Sequence, residues 1–375
     1  MKSIVFIPPG GVMIEQDFAL LRIILYLENY GFKITILQLN KSKFHNKFKK
    51  VNIIEFENEN DILKYLKQYS FDIVFHRSWM HRYLFASKIL KIVPNAVLYI
   101  KDWYYEYTKK EYKFCYDTDE DYDAIKYIIK QGKLILSHYS HHYTDLVAKS
   151  YDVSKDKFIF FPEFTHKPFY NKRKRYEYNS RKINIVYAGS LLPTSLPEQL
   201  IAGKATYNSI KKIANQNINI TALLLPKYYK NVFNNEKLYS DYLYENKFNK
   251  YFYIKKGAEL KYKLLNQYDF GFFALHDLPS GTKYKSTEIH GVTSKFAFYM
   301  EAGLPVIVAK NMTKLANIVK KYKIGLVVTD KEFFNLNKVL DISAKEYDQL
   351  VENIYKFRNV FSYNEDTLKV IFKLL

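Results

Sequence analysis

The chain has 375 residues, of which 48% are hydrophobic and 26% charged, and its formal net charge is +20. This length predicts two domains with full cores, and only 12 Gly and 10 Pro leave little material for long disordered stretches. The single cysteine, Cys115, excludes an intrachain disulfide and a cysteine-based zinc site, and such cysteine usage is typical of a reducing cytoplasm.

The first 165 residues alternate short apolar runs with longer amphipathic ones. Strands are predicted at 4–7, 34–39, 71–75, 96–100, 134–136 and 158–161. Helices are predicted between them at 18–30, 61–68, 83–91, 121–130 and 143–150. Alternation of this kind indicates a parallel sheet covered on both faces.

A basic stretch at 166–182 reads as an exposed hinge, and a second alternating series follows it. Strands are predicted at 183–187, 218–225, 252–255, 270–273, 306–308 and 325–328, with helices at 200–215, 237–246, 260–267 and 313–322. Residues 344–361 and 365–374 are predicted to be helical. The fold class is therefore α/β, with doubly wound, Rossmann-like domains at 1–165 and 183–360 and a C-terminal helix at 361–375 that packs back toward the first domain.

The most informative segment runs from Thr293 to Val308. Its apolar residues recur at helical spacing after Ser294, Gly303 predicts the end of the helix, and a strand led by Pro305 follows. The free N–H groups at the start of this helix, beside hydroxyls and Lys295, suit a phosphate or diphosphate. The alternative is an ordinary capped helix in an α/β domain.

Several motifs, taken in their order along the chain, carry a family resemblance. Lys295 to Val308 is similar to the pattern K-x-x-x-Y-x-x-A-G-x-P-V-I-V, and Gly-containing loops follow the first strand of each domain at Gly10-Gly11 and Gly189. A strand, a Gly-Ala pair at 257–258 and the run Tyr-Asp-Phe-Gly at 268–271 precede the helix. The chain resembles the GT-B glycosyltransferases, and within them the family-4-like and galactofuranosyl/glucosyltransferase-like groups.

The resemblance implies two domains facing a cleft, with an acceptor in the first and a nucleotide-diphosphate sugar, a UDP-sugar above all, in the second. It implies a metal-independent transferase without a cofactor, acting on a saccharide, lipid-linked saccharide or glycoprotein in bacterial glycan synthesis. Donor-binding residues are then expected at Gly189, Ser190, Ala258, His290, Gly291, Val292, Thr293, Ser294 and Lys295. Acceptor-binding residues are expected at Gly10, Gly11, Gln16, Arg77 and Glu163.

The sequence departs from the family at one important pair. Retaining family-4 enzymes carry two Glu, and the corresponding positions here hold His290 and Phe298. Glu301 lies close by but faces a different side of the helix. Because of this departure, the sequence does not decide between retention and inversion at the sugar. It also allows a protein that has lost its activity.

Two residues at strand ends of the first domain are candidates for the base that deprotonates the acceptor. Asp102 follows one predicted strand and His76 ends another, and catalytic groups in this architecture lie at the carboxyl ends of strands. The alternatives are a helix cap or turn residue for Asp102 and a packed, hydrogen-bonded side chain for His76. The acidic run at 117–123 contains the D-x-D pattern of metal-dependent enzymes, but it precedes a predicted helix, where acids are favoured, and no metal site is predicted.

The positive charge indicates an anionic partner. No apolar stretch is long enough for a membrane span, so we expect a cytoplasmic protein that works at the anionic inner face of the membrane. Nucleic acid is not expected, because Lys and Arg are spread along the chain without a recognition motif. Alternatives to sugar transfer are a GT-B-shaped epimerase or phosphorylase, a nucleic-acid-binding protein and a non-catalytic scaffold.

Overall fold

The computed structural model describes residues 2–14, 17–39, 48–79, 82–101, 108–111, 119–173, 178, 182–195, 203–257, 262–273 and 291–372. The chain divides into two compact units, one formed by Met1–Phe164 with Tyr363–Leu375 and the other by Thr165–Ser362. None of the helices in these ranges combines the length and the apolarity needed to cross a bilayer.

The first unit is built on a seven-stranded sheet whose strands are all parallel, in the order β3-β2-β1-β4-β5-β6-β7. The strands are β1 (Ser3–Ile7), β2 (Lys33–Leu39), β3 (Val51–Phe56), β4 (Ile73–Ser78), β5 (Val97–Ile100), β6 (Leu134–Ser137) and β7 (Phe158–Phe160). The α-helices are Phe18–Leu27, Glu59–Gln68, Tyr83–Ile92, Glu120–Gln131, His141–Ser150 and Glu365–Phe372. Residues 4–7 of β1 and all of β5 are hydrophobic and buried, as expected for a sheet covered on both faces.

The second unit has a six-stranded, all-parallel sheet in the order β10-β9-β8-β11-β12-β13. Its strands are β8 (Asn184–Ala188), β9 (Asn219–Leu224), β10 (Phe252–Lys256), β11 (Phe270–Phe272), β12 (Val306–Ala309) and β13 (Gly325–Val328). The α-helices are Gly203–Ala214, Pro226–Asn234, Ser240–Phe248, Ser294–Glu301, Thr313–Tyr322, Asp330–Phe333, Leu336–Val339 and Ala344–Val360. These two sheets confirm the predicted fold class of two doubly wound parallel-sheet units.

The structure corrects the predicted elements at several places. The strand β3 and the helices Pro226–Asn234, Asp330–Phe333 and Leu336–Val339 were not predicted. Residues 262–267, predicted as part of a helix, form the 3₁₀ helix Tyr262–Gln267. The strand β3 lies at the edge of its sheet and is only partly buried, so its apolar run is interrupted by Asn52 and Glu55. Edge strands of this kind give a weak sequence signal.

The strand order reverses at one point in each sheet, and these points position the candidate sites. In the first sheet β1 and β4 are neighbours there, and in the second β8 and β11 are neighbours. Chain connections leave the carboxyl ends of the two neighbouring strands in opposite directions at such a point, which opens a crevice for ligands.

Candidate functional site

In the second unit, the crevice at the end of β8 is bordered by the helix Ser294–Glu301. Thr293 occupies the N-cap position with an extended backbone, and its side chain makes no capping hydrogen bond. Its hydroxyl oxygen is buried and has no partner in the described part of the chain. The first amides of the helix therefore lack the side-chain oxygen that commonly satisfies them, which is the state in which a helix start accepts an anion.

Lys295 and Tyr299 lie one turn apart on this helix, and both reach the end of β8. The Lys295 Nζ donates to the Tyr187 hydroxyl over 3.2 Å and lies 4.3 Å from the centre of that ring. The Tyr299 hydroxyl accepts from the Ala188 N–H at 2.8 Å and donates to the Val186 carbonyl at 3.1 Å. Lys295 and Tyr299, four residues apart in the pattern K-x-x-x-Y, thus hold the start of the helix Ser294–Glu301 against the end of β8.

Glycine at one position permits this close approach. A Cβ on Gly271 would lie 2.6 Å from the Tyr299 ring, a distance that real Cβ atoms do not show. The position of Tyr299 therefore depends on Gly271. A Cβ on Gly189 would lie 3.4 Å from Lys295 Cδ, which is an ordinary van der Waals contact.

The structure brings together most of the predicted donor residues. Gly189 and Ser190 follow β8, and Gly291 and Val292 are buried directly before the helix. Thr293, Ser294 and Lys295 form the helix start and are half-buried. The predicted residues Ala258 and His290 lie outside the described residues.

The far end of the same helix carries a different arrangement. Gly303 has a left-handed backbone with φ of 71°, and the Gly303 and Leu304 amides bond back to Met300 and Tyr299. Glu301 is fully buried, and its Oε1 accepts the His166 N–H at 2.9 Å. Glu301 therefore ties the start of the hinge segment to the end of the helix that is remote from the Thr293 hydroxyl. Phe298 is half-buried on the same helix.

In the first unit, the carboxyl edge of the sheet holds a buried ion cluster of Asp17, Arg77 and Glu163. Arg77 donates from Nη1 to Asp17 and from Nη2 to Glu163 Oε1, the latter at 2.5 Å. The Arg77 guanidinium carbon lies 5.0 Å from the centre of the Tyr99 ring on the neighbouring strand. Arg77 and Glu163, both predicted acceptor residues, are thus bonded to each other, and each is only 3% exposed.

This cluster contains two carboxyl groups and one guanidinium group. Burial raises the pKa of the Asp17 carboxyl above its ordinary value, although Arg77 opposes the shift. Asp17 Oδ2 and Glu163 Oε2 are buried without partners in the described ranges. Sequence reasoning did not find Asp17, whose only signal is its N-cap position before the helix Phe18–Leu27, where it accepts from Leu20.

His76 lies on β4 beside this cluster but faces the other side of the sheet, because neighbouring residues of a strand alternate. Its Nδ1 lies 2.9 Å from the Ile7 carbonyl and donates to it, and its ring packs edge-on against Phe85. Burial lowers the pKa of His76 to about 4, so its ring is neutral at pH 7. Asp102, the other predicted base, and Gln16 lie outside the described residues.

The predicted loop Gly10-Gly11 is a buried turn in which both glycines have positive φ. A Cβ on Gly10 would meet the Arg82 side chain at 2.7 Å, and one on Gly11 would meet Ile62 at 2.8 Å. The turn is therefore packed against side chains of its own unit. Across the parts of the chain that the structure describes, no three His, Cys, Asp or Glu side chains are placed to hold a metal ion.

One family model matches part of the chain. Residues 227–373 match the family model described as "Glucosyltransferase 3-like, C-terminal domain". That segment contains the helix Ser294–Glu301 and four of the six strands of the second sheet. No curated protein matches the chain.

Three solved structures are similar in fold over the whole chain. A sucrose-phosphate synthase from Thermosynechococcus elongatus aligns with a TM-score of 0.65 and 11% identity, covering 100% of this chain and 98% of the other. An alpha-glucosyltransferase in complex with UDP and DNA aligns with a TM-score of 0.62 and 13% identity, covering 100% and 99%. HepE of Anabaena, in complex with UDP and glucose, aligns with a TM-score of 0.62 and 10% identity, covering 100% and 98%. At these identities the likeness shows the fold alone, and that fold is GT-B.

Proposed function

We propose that this protein is a glycosyltransferase that moves a sugar from a nucleotide-diphosphate sugar to a hydroxyl acceptor. The observation that carries the proposal is the uncapped start of the helix Ser294–Glu301, held against the loop after β8 by Lys295 and Tyr299. The match of residues 227–373 to a glucosyltransferase-like family model supports it independently.

The proposed chemistry follows from the leaving group. As the bond to the sugar breaks, negative charge grows on the diphosphate, and free helix amides with a positive side chain stabilise that charge. We propose that Lys295 supplies the positive charge and that the hydroxyls of Thr293 and Ser294 donate hydrogen bonds to the diphosphate. Because these groups would offset the charge of the leaving diphosphate, we propose that transfer needs neither a metal ion nor a cofactor.

We propose UDP-glucose as the first donor to test. The family model is named for a glucosyltransferase, and the similar structures include an alpha-glucosyltransferase bound to UDP and HepE bound to UDP-glucose. The acceptor we propose is a saccharide, a lipid-linked saccharide or a glycoprotein, bound at the carboxyl edge of the first sheet near Arg77 and Glu163. We propose Asp102 as the base rather than His76, because the His76 ring is fully buried, bonds to the Ile7 carbonyl and faces the side of the sheet away from Arg77.

The experiment that tests this proposal is a turnover screen with UDP-, GDP- and ADP-sugars, in which release of the nucleoside diphosphate is measured with and without EDTA. We expect turnover with a UDP-sugar, unchanged by EDTA. Lys295→Ala should lower kcat/KM roughly tenfold or more, since a charge-assisted contact to the diphosphate is lost.

The matched control is Lys338→Ala, which removes an exposed lysine of the same unit and should leave the rate unchanged. Conversion of the sugar nucleotide without release of the diphosphate would indicate an epimerase instead. If the protein neither turns over a nucleotide sugar nor binds a nucleotide, the proposal is contradicted.

A further inference from the structure

The second unit exposes a pair of aromatic rings that its own core does not use. Tyr244 and Phe248 are 62% and 63% exposed, and their ring centres lie 4.7 Å apart on the helix Ser240–Phe248. Tyr242 and Glu245 of the same helix are buried. Two large rings exposed one turn apart make a local apolar surface of the kind that marks an interaction site.

The residues that follow these rings are positively charged. Residues 246–257 contain four lysines and no acid, and all four lysines are exposed. The Lys247 Nζ lies 5.1 Å from the Phe248 ring centre, and the Lys255 Nζ lies 5.5 Å from that of Tyr253. The nearest acid along the helix, Glu245, is buried and paired with Lys211 at 2.8 Å, so it does not offset this charge at the surface.

We call this surface the aromatic–lysine patch, and it consists of Tyr244, Lys247, Phe248, Lys250 and Tyr253. It lies toward the amino edge of the second sheet, because Phe248 and Lys250 come just before β10 begins at Phe252. The candidate donor site lies at the carboxyl edge of the same sheet. A partner on the patch would therefore leave the donor site open to the water-soluble nucleotide sugar.

We propose that the aromatic–lysine patch docks the protein on an anionic lipid surface. Aromatic rings settle at the headgroup level of a bilayer, and lysine side chains extend from an apolar surface to reach lipid phosphates. Each lysine near an anionic bilayer adds to binding, and the net charge of +20 adds long-range attraction.

The composition of the patch favours lipid over a protein partner. Protein interfaces are depleted in lysine and enriched in arginine, and the charged residues of this patch are all lysine. A second copy of the chain would bring lysines against lysines, which repel each other. The proposal goes beyond sugar transfer, because lipid binding by this surface does not require the donor site to be occupied.

The test is flotation of the full-length protein with vesicles, without nucleotide. One set of vesicles is phosphatidylcholine alone, and the other is an equal mixture of phosphatidylcholine and phosphatidylglycerol. We expect the protein to float with the mixed vesicles only, and less so at high salt. Tyr244→Ser with Phe248→Ser, and separately Lys247→Glu with Lys250→Glu, should each lower the bound-to-free ratio about tenfold or more.

The control variant is Tyr69→Ser, which removes an exposed aromatic of the first unit whose ring also stacks on its own helix neighbour, Tyr65. It should float as the unchanged protein does, and all variants should keep their turnover of soluble substrate. Equal binding to both vesicle types would overturn the proposal. Patch variants that float as the unchanged protein does would also overturn it. A third contradicting result would be patch variants that change the mass of the protein measured by light scattering and leave its lipid binding unchanged.

Discussion

Lys295 and Tyr299 act at the scale of single residues to hold the candidate donor site in shape. Both side chains bond to the last residues of β8, and the sequence indicates only the spacing of the two residues and not these contacts. The sequence did indicate a helix start suited to a phosphate. It could not indicate that Thr293 leaves its hydroxyl without a partner among the described residues, because that depends on how the neighbouring elements pack.

Arg77 illustrates a site residue whose role the sequence predicts only in part. Its position at the end of a buried strand suggested ligand binding, but the partner that matters most, Asp17, is 60 residues away in the chain. Contacts over such distances follow from the strand order of the sheet. Local sequence patterns therefore predict which residues are candidates for the site. They do not predict which of these residues contact each other.

Removal of the Arg77 charge should destabilise the first unit strongly. Arg77→Leu leaves Asp17 and Glu163 buried without a counter-charge, so we expect the free energy of unfolding to fall by about 3–5 kcal/mol. Urea unfolding measures this loss. The triple variant with Asp17→Asn and Glu163→Gln should recover a large part of it, and a triple variant no more stable than Arg77→Leu would argue against the ion cluster.

His76 should make stability depend on pH. The pKa of His76 is about 4 in the folded protein against an ordinary 6.5, so between these values the unfolded chain binds the additional proton. The stabilisation is present above pH 6.5 and is lost as the pH falls toward 4, by about 3 kcal/mol in total. Thermal melts across this window should show a shallower slope for His76→Gln, and an identical slope would contradict the burial of a neutral ring.

At the scale of elements, the helix Ser294–Glu301 is where sequence and structure agree best. Gly303 ends it with positive φ, and β12 begins at Val306 directly after Pro305, as the sequence predicts. Two of the elements that the sequence did not predict lack strong local signals. The strand β3 is a partly buried edge, and the helix Pro226–Asn234 buries only Val232.

The junction of this helix with β11 can be tested at Gly271. Gly271→Ala would place a methyl group 2.6 Å from the Tyr299 ring, and we expect a loss of about 1–3 kcal/mol with weaker nucleotide binding as β8 shifts. Combining it with Tyr299→Ala removes the clash, so the double variant should be more stable than the sum of the single losses predicts. Strict additivity in the double-mutant cycle would show that the two residues do not meet.

At the scale of the whole molecule, the chain forms two units, and the first contains both ends of the chain. Tyr363 packs its ring near Phe161 and Phe164, and Leu368 of the helix Glu365–Phe372 is fully buried. The alternation of strands and helices predicted both sheets. Their strand order depends on pairing between residues far apart in the chain, and hydrophobic periodicity carries no information about such pairing.

The C-terminal helix should therefore stabilise the first unit. Leu368→Ala removes fully buried methyl groups, and we expect a loss of about 2–5 kcal/mol in the free energy of unfolding. Lys369→Ala changes the exposed neighbouring position and should stay within about 0.5 kcal/mol of the unchanged protein. Equal stability of the two variants in urea would mean that the helix does not belong to the core.

The central claim, that the helix start at Thr293–Lys295 holds the diphosphate of a nucleotide sugar, is tested most directly by calorimetric titration with UDP. The account predicts saturable binding to the unchanged protein and a Kd raised roughly tenfold or more in Lys295→Ala, with no change in Lys338→Ala. Saturable binding with the same Kd in all three proteins, or no binding of UDP, GDP or ADP to any of them, would contradict it.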